Sequence, residues 1–254
     1  MYGPDSEQKD VFEEVGAPII KGIIEGFNGT IFAYGQTGSG KTFTMEGPDH
    51  HDSRLKGMIP RMFQGLFNLI DEAEEEIEFT VKVSFLEIYM EKIMDLLDPK
   101  KSNLSVRRDP NQGVYVKDAS EVYVNNPEEM LGVMEAGSRN RSIASTRMNA
   151  ASSRSHSLFV CTVFQKNTKN DSTKIGKLCC IDLAGSEKTM KTNATGQTLE
   201  EAKMINKSLS ALGNVINALT DSKKSKHIPY RDSKLTQILQ ESIGGNSLTC
   251  LIIT

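Results

Sequence analysis

The sequence predicts an α/β fold in which a mostly parallel central sheet is the middle layer of a three-layer sandwich, with helices on both faces. Two observations lead to this prediction. Apolar runs of strand length alternate along the chain with longer segments of helical periodicity, as expected when helices cover both faces of a sheet. In addition, 254 residues with 38% hydrophobic and 25% charged side chains suit one sizeable domain. We therefore expect residues 1–254 to form a single domain.

The helices are predicted from apolar side chains at helical spacing. The first spans residues 5–27, in which Pro18 is expected to cause a kink. The second begins at Pro60, which suits a first helical turn, and the third follows Asn126, a residue type that caps helices. Two more helices are expected at residues 197–220 and 233–242.

The strands are predicted from alternating or continuous apolar runs. Residues 76–93 alternate between apolar and polar side chains, which is the pattern of a half-buried strand. Residues 156–165 and 176–185 are expected to be two strands that pair through the polar turn between them. A short strand at residues 30–34 precedes a glycine-rich loop, and a last apolar run covers residues 247–254.

The glycine-rich stretch "AYGQTGSGKTFTMEG" fits the pattern G-x-x-x-x-G-K-[ST] at Gly35, Gly40, Lys41 and Thr42. Glycine in a regular element costs roughly 0.5–1 kcal/mol relative to alanine, so the loop must need bare backbone. Consecutive N–H groups at a helix start suit a phosphate chain. A chance glycine-rich turn is the alternative, but the strand before it and the helix-forming residues after it make that less favourable. The pattern predicts a P-loop NTPase-type fold that binds a nucleoside triphosphate.

The loop pattern also assigns chemical roles. In such a loop the Lys41 ammonium reaches the β- and γ-phosphates, and the Thr42 hydroxyl ligates Mg²⁺. The cofactor-binding residues predicted here are Gly35, Gln36, Thr37, Gly38, Ser39, Gly40, Lys41 and Thr42.

Two later segments have the composition of phosphate sensors. In "IDLAGSE", Asp182 ends a strand at a position typical of the Mg²⁺ shell, and Gly185 leaves an N–H free to approach a γ-phosphate. "NAASSRSH", residues 149–156, lies between the loop and that strand, where a γ-phosphate-sensing switch would be placed, although serine-rich stretches are usually only solvated loops. The guanine-reading N-K-x-D is absent, since "NKSL" at residue 206 has leucine in place of the acid. ATP is therefore favoured.

Composition excludes some classes of function. No run of about 18 apolar residues occurs, so no membrane insertion is expected. The first ten residues lack a signal pattern, and the four cysteines lack metal-ligand spacing, which favours reduced, buried cysteines in a cytosolic protein. The net charge of −3 says little about partners. A lysine cluster could indicate nucleic acid, but no nucleic-acid-binding motif accompanies it.

Five segments together resemble the motor domain of a kinesin, similar to the conventional heavy-chain type, over nearly the whole chain. They are "FAYGQTGSGKTFTMEG", "NAASSRSH", "DLAGSE", "NKSLSALGNVINAL" and "IPYRDSKLTQILQESIGGNS". The resemblance implies an ATPase that couples ATP hydrolysis to microtubule binding and movement, located in the cytoplasm on the microtubule cytoskeleton. It also implies that regions outside this chain set the oligomeric state.

The resemblance further implies roles for single residues. Residues 149–156 would be switch I and residues 182–187 switch II. Ser153 would join the metal shell, Ser152 would orient the attacking water, and Asp182 would reach the metal through a water. Phe43 could stack on the adenine. Arg154 and Glu187 would pair as a latch over the γ-phosphate, with a proton relay that ends at Glu187. The implied catalytic residues are Lys41, Ser152, Ser153, Arg154, Gly185 and Glu187.

A basic surface is implied as the microtubule-binding site. Local positive charge can steer the encounter with the acidic surface of tubulin, although such a run is usually only a solvated loop. The implied contacts are Lys117, Arg141, Lys188, Lys191, Lys203, Lys223, Lys224, Lys226, Arg231 and Lys234.

Some features depart from the family pattern. The family's Arg-x-Arg-Pro strand before the first helix is absent, and Gln237 stands where arginine is frequent. The resemblance therefore implies a motor domain that is incomplete at its N- and C-termini, and we expect this span by itself to be loosely packed and to bind ATP weakly. The alternative hypothesis is a non-motile microtubule-binding module with an incomplete nucleotide site.

Overall fold

A mixed β-sheet is the central layer of the computed structural model, which describes residues 2–3, 5–109, 113–148, 152–187, 197–221 and 227–254. Its strands are β1 (Asn28–Tyr34), β2 (Ile77–Tyr89), β3 (Lys92–Asp95), β4 (Ser102–Leu104), β5 (Val106–Asp109), β6 (Gly113–Val116), β7 (Val122–Val124), β8 (His156–Asn167), β9 (Thr173–Asp182) and β10 (Ser247–Ile253). Eight of them form the main sheet in the order β10-β1-β9-β8-β2-β3-β4, with β7 also on β2, while β5 and β6 form a separate hairpin.

The direction of the strands divides the main sheet into two parts. Strands β10, β1 and β9 are parallel. The pairs from β9 through β8, β2 and β3 to β4, and the pair of β7 with β2, are antiparallel. The parallel part is therefore the part that carries the glycine-rich loop.

Helices cover both faces of this sheet. They are α1 (Gln8–Val11), α2 (Ala17–Glu25), α3 (Lys41–Met45), α4 (Met58–Asp71), α5 (Pro127–Met148), α6 (Gln197–Thr220) and α7 (Lys234–Ile238). The helix predicted at residues 5–27 is interrupted by a π-helical turn at Phe12–Gly16, and Pro18 lies in the first turn of α2. Since Pro18 has no N–H to continue the helical hydrogen bonds, the irregular turn falls just before it.

Adjacent residues of each inner strand point to opposite faces, which creates two cores. In β1, Ile31 and Ala33 pack with α2, α4 and α5, whereas Phe32 packs with α6 and α7. In β8, Phe159 lies in the first core with its ring centroid 5.0 Å from that of Phe63, and Leu158 lies in the second. The two-residue period of the strands thus produces the predicted three layers.

Several local predictions are confirmed. Strands β8 and β9 pair in antiparallel register from Ser157 opposite Asp182 to Lys166 opposite Thr173, and the predicted polar turn joins them. Asn126 caps α5, since its Oδ1 accepts the Glu129 N–H at 2.8 Å. The short strands β3 to β7 were not predicted.

Two compositional predictions can also be compared with the fold. Cys161, Cys179 and Cys180 are buried free cysteines, and Cys250 is half-buried. Burial raises the pKa of the Cys180 thiol well above its ordinary value, which keeps that side chain unreactive. None of the helices in the described part of the chain combines the length and apolarity that a bilayer crossing requires.

Candidate functional site

The glycine-rich loop, residues 35–40, is positioned by the parallel part of the sheet. Strands β1 and β9 are in register with Ala33 beside Asp182, so their carboxyl ends open at the same edge. Within the loop, Gly38 and Gly40 have φ values of 79° and 102°, which side chains of L-residues rarely adopt. The loop conformation therefore requires the bare backbone that the sequence predicts.

Lys41 is the first residue of α3 and turns back into the loop. Its side chain is buried, with the residue 7% exposed, and Nζ donates to the carbonyl oxygens of Gly35 at 3.0 Å and Gln36 at 2.8 Å. These two hydrogen-bond partners are neutral dipoles, and the charge of Lys41 also acts on the nearby Glu187 carboxyl. A phosphate anion in the loop would give the ammonium a charged hydrogen-bond partner.

Thr42 and Asp182 form the part of the site that suits a metal. The Thr42 hydroxyl donates to Asp182 Oδ2 at 2.5 Å, while Asp182 Oδ1 is buried and accepts no hydrogen bond from any residue that the structure describes. A buried carboxylate oxygen without a partner is rare, and it fits a position for Mg²⁺ or its bound water. The described residues contain no group of three or more His, Cys, Asp or Glu side chains that could hold a metal ion. A site made of Thr42 and Asp182 still suits Mg²⁺, because Mg²⁺ usually takes one or two protein oxygens plus substrate phosphates and water.

The backbones of the two switch segments contact each other and the glycine-rich loop. The Gly185 N–H donates to the Ser153 carbonyl at 2.8 Å, and the Ser186 N–H donates to the Gly35 carbonyl at 3.1 Å. A Cβ at Gly185 would lie 2.4 Å from a carboxylate oxygen of Glu187 and 2.5 Å from the Thr37 hydroxyl, so a larger residue there would displace these two side chains. The three predicted segments therefore meet at one site. The side chain of Ser152 lies outside the described part of the chain.

Arg154 and Glu187 each have other partners in this structure. Glu187 accepts hydrogen bonds from the Thr37 N–H at 2.8 Å and from the Thr37 hydroxyl at 2.5 Å. Arg154 Nη1 lies 2.5 Å from Oε2 of Glu201 in α6. The implied latch between Arg154 and Glu187 is thus not formed in this arrangement.

The ionisation of Glu187 follows from its contacts. Partial burial raises the pKa of its carboxyl, but the hydrogen bonds from Thr37 and the charge of nearby Lys41 lower it by more, so the pKa lies below its ordinary value. Glu187 is therefore ionised at neutral pH and can act as an acceptor.

Glu201 is a functional candidate that the sequence reasoning missed. Its side chain is 5% exposed, and the Tyr89 hydroxyl donates to its second oxygen at 2.6 Å. One signal was available in the sequence, because Glu201 shares a helical face with three buried residues. Ser208 follows it by seven residues, Leu212 follows Ser208 by four, and Val215 follows Leu212 by three. A carboxylate in such an apolar stripe needs a specific partner.

Arg141 requires a correction. The residue is 6% exposed, and its guanidinium lies 3.3 Å from Glu87 and 3.6 Å from Asp182, with a further hydrogen bond to the Ser155 carbonyl. This position contradicts the prediction that Arg141 contacts a microtubule. A buried guanidinium needs carboxylate partners, and here they include the candidate metal residue, so Arg141 supports the nucleotide site.

The other basic residues can be placed only in part. Lys117, Lys203 and Arg231 are exposed, and Lys234 is half-buried. They belong to α6, α7 and the segments beside them, which pack together on the face of the sheet opposite α4 and α5. The predicted contacts Lys188, Lys191, Lys223, Lys224 and Lys226 lie outside the described residues.

Phe43 lies at the edge of the site. The residue is 51% exposed, and its carbonyl oxygen accepts a hydrogen bond from Gln8 Nε2 at 2.6 Å, which ties α3 to α1. The ring therefore has room to stack on a base, and this role stays a prediction.

His156 joins switch II to α6. Its Nδ1 accepts the Ala184 N–H at 3.0 Å, so Nε2 carries the proton and donates to the Ser208 hydroxyl at 2.7 Å. Desolvation by burial, with a smaller effect of Arg141, lowers the pKa of His156 from 6.5 to about 3. The imidazole is therefore neutral in the folded chain.

This burial should make stability depend on pH. Below pH 6.5 the unfolded chain binds a proton at His156 that the folded chain does not accept until about pH 3. The free energy of unfolding should therefore fall as the pH drops below 6.5, by up to about 1.4 kcal/mol per pH unit. Denaturant unfolding at pH 7.5, 6.5 and 5.5 should show this slope, and His156→Asn, whose amide oxygen can still accept from Ala184, should reduce it. If the free energy of unfolding depends on pH with the same slope in the unaltered chain and in His156→Asn, the interpretation is wrong.

Fold and site together define the P-loop NTPase-type class, in which a glycine loop after an inner parallel strand faces an aspartate on the neighbouring strand. Within that class the chain belongs to the kinesin motor domain family, whose model matches residues 1–254. It is 58% identical to Kinesin-related protein 3 of Dictyostelium discoideum, over 100% of this chain and 21% of the relative. It is 55% identical to the kinesin heavy chain of Drosophila melanogaster, over 100% of this chain and 26% of the relative.

A solved structure agrees with this assignment. The structure described as "Structure of a fast kinesin: Implications for ATPase mechanism and interactions with microtubules" matches with a TM-score of 0.91 at 56% identity, over 98% of this chain and 70% of that one. The chain spans about a quarter of the length of the curated relatives it matches, between 21% and 29%.

Proposed function

We propose that this chain is an ATP-hydrolysing, microtubule-binding motor domain that uses Mg²⁺ and couples closure of its two switches to movement along the filament. The observation that carries the proposal is the convergence of Lys41, Thr42 and Asp182 with both switch backbones at one edge of the sheet. Kinesin heavy chains among its relatives support the same activity.

Substrate binding would exchange internal contacts for phosphate contacts. The Lys41 ammonium would leave the carbonyls of Gly35 and Gln36 for the β- and γ-phosphates, and the N–H groups of the loop would hold the phosphate chain. The Gly185 N–H, which now donates to Ser153, would turn to the γ-phosphate. Each exchange replaces a neutral acceptor by an anion, so binding energy is available for switch closure.

Hydrolysis would depend on positioning and charge. Water attacks the γ-phosphate in line, and the transition state spreads charge over the phosphoryl oxygens, where Lys41 stabilises it. Thr42, Ser153 and, through a water, Asp182 would hold Mg²⁺, which neutralises part of that charge when it is bound. Ser152 would orient the attacking water, and Glu187 would accept its proton through a relay.

Microtubule binding would use the face that carries α6 and α7. Arg231 and Lys234 flank the start of α7, Lys203 lies on α6, and Lys117 follows the β5–β6 hairpin that packs beside α7. We propose the same contact role for the five predicted basic residues that lie outside the described part of the chain. We also propose that the protein is located in the cytoplasm and associates with microtubules, because its relatives include kinesin heavy chains.

Charge removal tests this surface. Changing Lys223, Lys224 and Lys226 to alanine should weaken microtubule affinity about tenfold at low salt and flatten its salt dependence, because surface charges are screened over about 8 Å at physiological ionic strength. Basal ATP hydrolysis should change little. Co-sedimentation and ATP turnover, each measured over a salt series with and without microtubules, check both expectations.

A matched control removes equal charge from elsewhere. Lys9, Lys21 and Lys174 are exposed on other parts of the chain, and their replacement by alanine should leave microtubule affinity within twofold. If the two triple variants lose the same amount of microtubule affinity, the lysine cluster is only a solvated loop and not a binding surface. If microtubules fail to stimulate ATP turnover in the unaltered chain, the non-motile alternative is favoured.

A further inference from the structure

A cavity of about 390 Å³ lies between the central sheet and the β5–β6 hairpin. Strands β2, β8 and β9 form its floor, and Val114 and Val116 of the hairpin lie across it. Strands β8 and β9 reach the nucleotide site at their other ends, at Ser157 and Asp182. Small-molecule sites commonly have volumes of roughly 300–1,000 Å³. The cavity is therefore large enough for a ligand, and it is separate from the nucleotide site.

The floor of the cavity is accessible although β2 and β8 are inner strands of the sheet. On the face toward α4 and α5, Val83 and Cys161 are 1% and 0% exposed. On the cavity face of the same two strands, Ser84, Thr162 and Phe164 are only half-buried. An open space is thus built into this face of the sheet, because the hairpin lies across it without filling it.

Three polar side chains cross the floor in a single row. Lys82 of β2 is opposite Thr162 of β8, which is opposite Lys177 of β9. Residues that are paired across neighbouring strands point to the same face, and neighbouring strands lie about 4.8 Å apart, so the two lysines share the cavity face at a backbone separation of about 10 Å. Two ammonium groups on either side of a hydroxyl suit an anion.

The partners of the two lysines leave positive charge available. Lys177 Nζ donates to the Val114 carbonyl at 2.9 Å, and among the described residues no carboxylate forms an ion pair with it. Lys82 pairs with Glu121 at 2.8 Å, but the side chain of Glu121 is 49% exposed and is readily replaced. Glu241 also lines the cavity, where it accepts the Val114 N–H at 2.9 Å. A ligand anion would give Lys177 a charged acceptor in place of a neutral one.

Apolar side chains lie on both sides of the polar row. Phe164 follows the row toward the β8–β9 turn, with its ring centre 5.2 Å from Lys82 Nζ, and Val160 and Leu86 precede it. Apolar walls with a few convergent polar groups are typical of ligand sites. We propose that the cavity binds a small amphiphilic anion. Its aromatic or aliphatic body lies against Phe164 and Val160, and its carboxylate, sulfonate or phosphate group lies between the two lysines.

Two fluorescent probes that differ in one group test this site. Anilinonaphthalene sulfonate joins an aromatic body to a sulfonate, and phenylnaphthylamine has the same rings without the anion. Lys177→Met keeps the length of the side chain but removes its charge, so it should weaken binding of the sulfonate about tenfold and leave that of the neutral probe within twofold. Glu121→Gln should strengthen binding of the sulfonate about twofold, because Lys82 then loses its competing carboxylate. Fluorescence titration of the folded chain measures these affinities without ATP hydrolysis.

Controls separate the cavity from other places where an aromatic anion could bind. Lys174→Met removes an exposed lysine of the same strand and should leave both affinities unchanged. Saturating ADP would displace a probe from the glycine-rich loop but not from the cavity. Lys82→Met should weaken binding of the sulfonate about threefold, and it decides the outcome if Lys177→Met does not fold. The proposal is overturned if the sulfonate does not bind the unaltered chain, if ADP displaces it, if neither lysine variant weakens it more than twofold, or if the neutral probe is weakened equally.

Discussion

Replacing Lys41 with alanine is expected to reduce ATP hydrolysis by roughly 10²–10³-fold, because it removes a preorganised charge from the position where the transition state becomes more negative. Lys41 is buried in the glycine loop, where its ammonium donates to the carbonyl oxygens of Gly35 and Gln36, so its removal takes a fixed positive charge from the loop. Phosphate release at saturating ATP and microtubules measures the loss.

Two comparisons separate this effect from misfolding. Thr42→Ala deletes only a hydroxyl and should also remove most turnover, because that hydroxyl is the expected metal ligand. Lys9→Ala removes an exposed lysine from α1 and should behave as the unaltered chain. Near-normal hydrolysis by either Lys41→Ala or Thr42→Ala, with the thermal melt unchanged, would refute the assignment of the phosphate loop.

The inter-switch latch should produce the second large effect. Arg154→Ala and Glu187→Ala are both expected to bind ATP but to hydrolyse it roughly a hundredfold more slowly, with most microtubule stimulation lost, since closure over the γ-phosphate needs both charges. Binding of a fluorescent ATP analogue and single-turnover hydrolysis measure the two steps separately.

The exchanged pair distinguishes two roles of Glu187. If Arg154→Glu combined with Glu187→Arg recovers activity, the residues act as a pair and Glu187 is dispensable as a proton acceptor. If the exchange stays inactive while each single variant binds ATP, the relay that ends at Glu187 is favoured. Full activity of both single variants would rule out the latch.

The parts of the site whose functional residues lie close together in the sequence could be predicted from it. The loop from Gly35 to Thr42 needs its glycines and its lysine at fixed spacing, and the β8–β9 hairpin shows its period in adjacent residues. The β8–β9 hairpin also followed from the sequence, because two strands joined by a short turn must be antiparallel. A mostly parallel sheet was expected, and the further antiparallel pairs of β2 with β3, β7 and β8 were not predicted.

Long-range pairing was not predictable. Arg141 has the appearance of a surface residue of a helix, but it is buried because Glu87, 54 residues away in sequence, lies beside it. Glu201 was missed for the same reason, since Tyr89 is separated from it by 112 residues. The strands between residues 92 and 124 were missed because each has only three or four residues, too few to show a period.

The β8–β9 hairpin has a consequence for where the chain tolerates change. Its two strands begin and end at the switches, with Ser157 opposite Asp182, and they meet at the turn of residues 168–172. A single-residue deletion within either strand would turn every later side chain of that strand to the other face and exchange the contents of the two cores. The exposed turn carries no such constraint, so it is a natural position for an inserted tag or reporter domain. A probe placed there would lie at the opposite end of two inner strands from the nucleotide site, where it would disturb neither switch.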